Sequence, residues 1–146
     1  MTTIPKLGLL AIVPALLLAV APVSAGPLPT CADPCQVNAS ATHYDPPVVV
    51  IANNSTVFWH STDVGHIQRE TSQPAGSTST CFVANSPGGG DSPLVRFEIQ
   101  GNVLNATVGS TTSTCLNAVA LDGQGFVVPY HCTLHADMRG FIVVQA

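Results

Sequence analysis

The segment Tyr130-His131-Cys132-Thr133-Leu134-His135-Ala136-Asp137-Met138-Arg139-Gly140 carries a cysteine, a histidine and a methionine at three-residue intervals, directly after a strand-like apolar run. Thiolate and thioether sulfur are soft donors and imidazole is intermediate, so Cys132, His135 and Met138 form a donor set suited to copper in both of its common oxidation states. The spacing places a condition on the backbone. Side chains of a continuing strand alternate between faces, so positions 132 and 135 would diverge, and only a tight loop turns all three toward one point. By the same alternation His131 points away from Cys132 and reads as a structural residue. Zinc accepts cysteine and histidine, but a thioether is a poor zinc ligand.

The trio needs a second histidine, and two candidates lie upstream in Thr56-Val57-Phe58-Trp59-His60-Ser61-Thr62-Asp63-Val64-Gly65-His66. Residues 56–61 read as a strand rich in β-branched and aromatic residues, whereas His66 follows a turn-like Asp-Val-Gly and begins the next extended segment. Loops at strand ends can converge on a point while a sandwich holds them, which favours His66, with His60 as the alternative. His43, ahead of Tyr44-Asp45-Pro46-Pro47, reads as a surface residue or as an accessory metal contact with His60. Trp59 reads as core packing.

These two segments together resemble the cupredoxins, or blue copper proteins. The Cys-x-x-His-x-x-Met loop followed by Phe141-Ile142-Val143-Val144 is similar to the short ligand loop of the plastocyanin and amicyanin branch, and the likeness spans about residues 36–146. The resemblance implies a Greek-key β-sandwich holding one type 1 copper ion that cycles between Cu(I) and Cu(II), with His66, Cys132 and His135 in a trigonal plane and Met138 as a long axial ligand. It also implies a carrier of single electrons between redox donor and acceptor proteins, not a catalyst. The electron would pass through the edge of His135, ringed by Leu134, Ala136 and Phe126. Where the family commonly has Asn, Ser or Thr after the first ligand histidine, tying the two ligand segments by a side-chain hydrogen bond, this chain has Ile67. Multicopper enzymes need His-x-His pairs for further copper centres, and no His-x-His occurs. A copper delivery, storage or sensing module would use the same four ligands and stays open as the alternative.

Cysteine usage supports the same site. Five cysteines in an exported chain leave one over after pairing, and copper ligation of Cys132 accounts for it. Cys31, Cys35, Cys81 and Cys115 allow three connectivities, of which Cys31 with Cys35 and Cys81 with Cys115 is the simplest, the first closing a short Ala-Asp-Pro turn. Export itself is read from residues 1–25: Lys6, a mostly apolar run over residues 7–20, then Val23-Ser24-Ala25, the small-residue pattern of a cleaved signal peptide. The rival, a retained anchor, has an apolar core broken by Pro14 and shorter than the ~20 residues of a span. The expected protein is therefore periplasmic or extracellular and monomeric, without stable membrane insertion after cleavage.

Beyond Ala25 there is no lysine, and three arginines face eight acidic residues, a balance that argues against nucleic acid. Sequons at Asn38, Asn53, Asn54 and Asn105 would accept glycans in a glycosylating host, or arise by chance in a chain this rich in Asn, Ser and Thr. After a Cys- and Pro-bearing lead-in (residues 26–35), one domain over residues 36–146 is expected, built of short strands near 36–42, 47–51, 56–61, 94–100, 103–108, 116–121, 126–132 and 140–145. No segment beyond the signal shows a helical period, so the chain reads as an all-β sandwich. Residues 68–92, rich in Ser, Thr, Gly and Pro, read as an elaborated surface loop, touching the core mainly through Cys81 and Phe82.

Overall fold

The structure, a computed structural model, describes residues 26–71 and 80–146. The expected signal segment lies outside the described residues, as do residues 72–79 of the central insertion. The described chain is all-β and forms a single-domain sandwich of two mixed sheets. Its strands are β1 (Cys35–Ala39), β2 (Tyr44–Asp45), β3 (Val48–Ala52), β4 (Thr56–Ser61), β5 (His66–Glu70), β6 (Val83–Ser86), β7 (Val95–Gln100), β8 (Val103–Val108), β9 (Thr111–Thr114), β10 (Val119–Ala120), β11 (Gly125–Cys132) and β12 (Arg139–Gln145). One sheet runs β2-β1-β4-β7-β8-β9 and the other β3-β12-β11-β5-β6, with β10 added on β11. Two neighbouring pairs, β1 with β4 and β3 with β12, are parallel. Each closes through a crossover into the opposite sheet, since a tight hairpin cannot join parallel strands.

Alternation decides which residues meet between the sheets. On β7, Val95 and Phe97 are buried while Arg96 is exposed; on β11, Phe126, Val128, Tyr130 and Cys132 face inward. The core is aromatic along its length. Tyr44 packs on Tyr130 at 4.8 Å, Tyr130 meets Trp59 edge-on at 5.3 Å, Trp59 stacks on Phe82 at 5.6 Å, and Phe82 meets Phe97 at 5.6 Å. Rings of this size each remove ~150–250 Å² from water, so this chain carries much of the core's stabilisation.

The disulfides are Cys31–Cys35 and Cys81–Cys115, and Cys132 is the free cysteine among the described residues. The second bridge closes a 34-residue separation and joins the chain before β6 to the chain after β9. In the chain-entropy account it contributes about 4 kcal/mol.

Three expectations need correction. The central insertion is not one surface loop: β5 runs to Glu70, β6 occupies Val83–Ser86 against it, and Ala84, Ser86 and Ser92 are buried with Phe82. Polar composition hid this, because β6 spends its inward positions on small residues. The strand expected over residues 116–121 is instead β9 over Thr111–Thr114 and β10 over Val119–Ala120. Cys115 is drawn in by its disulfide, and Leu116 is left 70% exposed. Finally, Phe126 is buried near the start of β11, six positions before Cys132, and belongs to the opposite end of the strand from His135.

Candidate metal centre

The first ligand segment is shaped by a turn between β4 and β5. Asp63 accepts a hydrogen bond from the Val64 N–H at 2.7 Å, which bends the chain so that His66 opens β5 facing inward. The Pro87-Gly88-Gly89-Gly90 run, which reads as loop in sequence, underlies this turn. A Cβ on Gly88 would lie 2.6 Å from the Asp63 carbonyl oxygen, so only glycine lets the two segments approach. His66 then pairs with Ser86 on β6.

The second segment follows β11. Cys132 ends the strand facing inward, the Met138 N–H donates to the His135 carbonyl at 3.0 Å, and the Cys132 N–H donates to the Met138 carbonyl at 3.0 Å. These bonds close residues 132–138 into the tight loop that the spacing requires. The loop is tied to the first segment by the Thr133 N–H, which donates to the Ile67 carbonyl at 2.9 Å. The main chain at position 67 thus ties the two ligand segments together, while the Ile67 side chain adds no hydrogen bond of its own. The inward row of β5 is polar throughout. Gln68 donates to Ser86 Oγ at 3.0 Å and Ser61 donates to the same oxygen at 2.7 Å, while Glu70 accepts from the backbone N–H groups of Cys81 and Asn117 at 2.8 and 2.9 Å. These partners offset the desolvation of two buried polar side chains of β5, Gln68 and Glu70.

The result brings His66, Cys132 and His135 together, their ligand atoms all within 4.8 Å of one another. Cys132 Sγ lies 3.7 Å from His66 Nδ1 and 3.5 Å from His135 Nδ1, and the imidazole centroids are 4.8 Å apart. Metal bonds of about 2.3 Å to sulfur and about 2.0 Å to nitrogen, opening at about 110–120°, would hold neighbouring S and N donors about 3.5–3.8 Å apart. The sulfur therefore stands from each nitrogen at the separation a first-row ion demands. Burial, followed by the neighbouring His135, lowers the His66 pKa below its ordinary value, an effect opposed by Asp63. A neutral imidazole is the form that binds metal. With Nδ1 turned to the centre, the buried Nε2 of His66 has no hydrogen-bond partner, and the nearest carboxylate oxygen, Asp63 Oδ1, lies 4.0 Å away. Tyr44 is a further neighbour the sequence did not single out. Its buried hydroxyl is pushed well above the ordinary phenol range by desolvation and then by Cys132.

Met138 is fully buried on the same loop, its backbone bonded to both Cys132 and His135. His60 is elsewhere. It sits between inward-facing Trp59 and Ser61 on β4, faces outward, and pairs with Asp91 at 2.7 Å. His43 bonds to Ser40 at 2.9 Å and not to His60. His131 lies on the outer face of β11, in hydrogen-bond contact with Thr71 at 3.1 Å. Leu134 is 59% exposed beside half-buried His135. A second grouping, Glu70 with Cys81 and Cys115, is structural, because its sulfurs are joined to each other.

No protein family and no curated protein sequence matches the chain. Among solved structures it is similar to amicyanin from Paracoccus versutus, at 18% identity over 82% of this chain and 85% of that one, with a TM-score of 0.49. It is also similar to the oxidised state of a proline-to-alanine mutant of amicyanin, at 19% identity over 75% and 80% of the two chains with a TM-score of 0.48. The assignment of the site rests on its own side chains.

Proposed function

We propose that this protein is an exported mononuclear type 1 copper protein that carries single electrons between redox partner proteins. The observation that carries this reading is the convergence of His66 Nδ1, His135 Nδ1 and the unpaired Cys132 Sγ at one buried point. The donor chemistry fits: one thiolate and two imidazoles with a buried thioether on the same loop match copper better than zinc, which disfavours thioether. His66, Cys132 and His135 would hold the ion through imidazole and thiolate, and Met138 would add a weaker thioether donor. Bound copper would supply a one-electron couple between Cu(I) and Cu(II).

The chain's own part is constraint. Loop closure through Met138 and the Thr133–Ile67 bond fixes the donors before any ion arrives, so a change in charge finds little freedom to rearrange them. Burial of His66, Cys132 and Met138 excludes water from three sides, while the half-buried His135 and exposed Leu134 leave one edge open to a partner. A small apolar edge suits a brief encounter that releases quickly.

Optical absorption and electron paramagnetic resonance of the copper-loaded protein test the reading. An intense visible charge-transfer band with narrow copper hyperfine splitting is expected, and Cys132→Ser abolishes it, since a hydroxyl cannot form the covalent thiolate bond. Absence of that band in the loaded wild type would favour a delivery, storage or sensing module. Its survival in Cys132→Ser would place the metal elsewhere.

A further inference from the structure

The solvent face of the β3-β12-β11-β5-β6 sheet carries a charge pattern that copper binding leaves unused. Register places Arg69, His131 and Arg139 side by side in one cross-strand row, with His131 opposite both arginines. In the next row Pro129 lies opposite Phe141 and Phe141 opposite Val48, the last two being 45% and 48% exposed. Among the described residues, the outward positions of these five strands hold no carboxylate. That absence is pointed in a chain with eight acidic residues and three arginines beyond its first 25 positions. The third arginine, Arg96, lies on the other sheet, 3.7 Å from Glu98.

Arg69 and Arg139 flank His131 and make this face positive in a chain whose formal net charge is −4, and an acidic surface laid over the row complements it. The apolar row beside it supplies area that gains from leaving water. His131 is joined to Cys132 by a single peptide link, so a protein seated here lies next to the thiolate-bearing residue. We infer that this face docks an acidic protein surface, that of an electron-exchange partner, with Arg69 and Arg139 as its charged contacts and Phe141 at its apolar centre. The inference rests on the electron-carrier reading for the partner's redox character; the charge complementarity is independent of it.

The test titrates isotope-labelled Cu(I)-loaded protein with oxidised plant-type ferredoxin, a small acidic iron–sulfur protein used as the probe, and follows amide shifts by NMR. At low ionic strength the shifts should centre on Arg69, His131, Arg139 and Phe141 and fade as salt rises to about 0.2 M. Arg139→Glu, at an exposed position, should weaken binding about tenfold, and Arg69→Gln should weaken it further, while Arg96→Glu leaves it unchanged. A shift map centred on Leu134 and Ala136, or an Arg139→Glu variant that binds as tightly as wild type, overturns the inference. So does self-association of the protein alone that Arg139→Glu dissolves, which would make the face a contact between copies. Binding to phosphatidylglycerol vesicles with none to ferredoxin would likewise overturn it. Voltammetry keeps the two readings apart: an irreversible copper couple with an intact shift map removes the electron carrier and leaves the docking face.

Discussion

Gly140→Ala should destabilise the protein by about 2–4 kcal/mol, and the reason can be located on one ring. Gly140 lies directly opposite Tyr130 in the β11–β12 ladder, and both are on the buried face. A Cβ at position 140 would stand 2.6 Å from Tyr130 Cε1 and closer still to Cζ and the hydroxyl, inside van der Waals contact. The ring has nowhere to retreat, since Tyr44 is 4.8 Å away on one side and Trp59 is 5.3 Å away on another. Overpacking of this kind costs roughly 1–3 kcal/mol, and each aromatic pair displaced with the ring adds about 0.5–1.5 kcal/mol. For a domain of this size that corresponds to a fall in Tm of about 10 °C. Urea and thermal unfolding of the copper-free protein measure it, with Tyr130→Leu as the second arm of a double-mutant cycle. Leucine removes the colliding atoms, so the two substitutions should couple by at least about 1 kcal/mol. A cost under about 1 kcal/mol for Gly140→Ala, or strictly additive behaviour in the cycle, would refute the packing argument.

His66→Gly should open an equatorial position that added imidazole refills, restoring the copper spectrum, whereas His60→Gly, whose ring pairs with Asp91 outside the cluster, should leave the spectrum unchanged; the reverse result would transfer the ligand to His60. Met138→Leu should retain copper through the three equatorial donors and raise the reduction potential, because a weak axial donor favours the oxidised ion; cyclic voltammetry showing an unchanged or lower potential would make Met138 a packing residue. Burial and His135 lower the His66 pKa from about 6.5, and burial with Arg69 and Arg139 lowers that of His131, so near pH 6 the unfolded chain binds more protons than the folded one. Stability of the copper-free protein should therefore be lost as pH falls from about 7.5 to about 5.5, the urea midpoint dropping across that window and His131→Gln flattening the slope; a midpoint that is flat or rises on acidification contradicts it.

The proposal for the site began from local information. Cys132, His135 and Met138 occupy one short loop, and their donor types alone raise the copper reading before any fold is known. The outward direction of His131 followed from the two-residue period of a strand, which needs no knowledge of neighbours. Counting five cysteines left one thiol over, and the ligand loop pointed to Cys132, which is the free cysteine among the described residues.

Other features depended on segments far apart in the chain. Sequence could rank His66 over His60 by position relative to a turn, but their separation was decided by which face of β4 looks inward and by Asp91 arriving to hold His60 outside. Position 67 looked like a missing tie, because a side chain can be read and a backbone carbonyl cannot; the bond from Thr133 to that carbonyl exists only once β5 and β11 lie side by side. The glycine run at 88–90 read as part of a surface loop, and its tight approach to Asp63 appears only in the folded chain. The row of Arg69, His131 and Arg139 draws on three strands, and register between strands is set by packing of the whole sandwich, which no local pattern encodes.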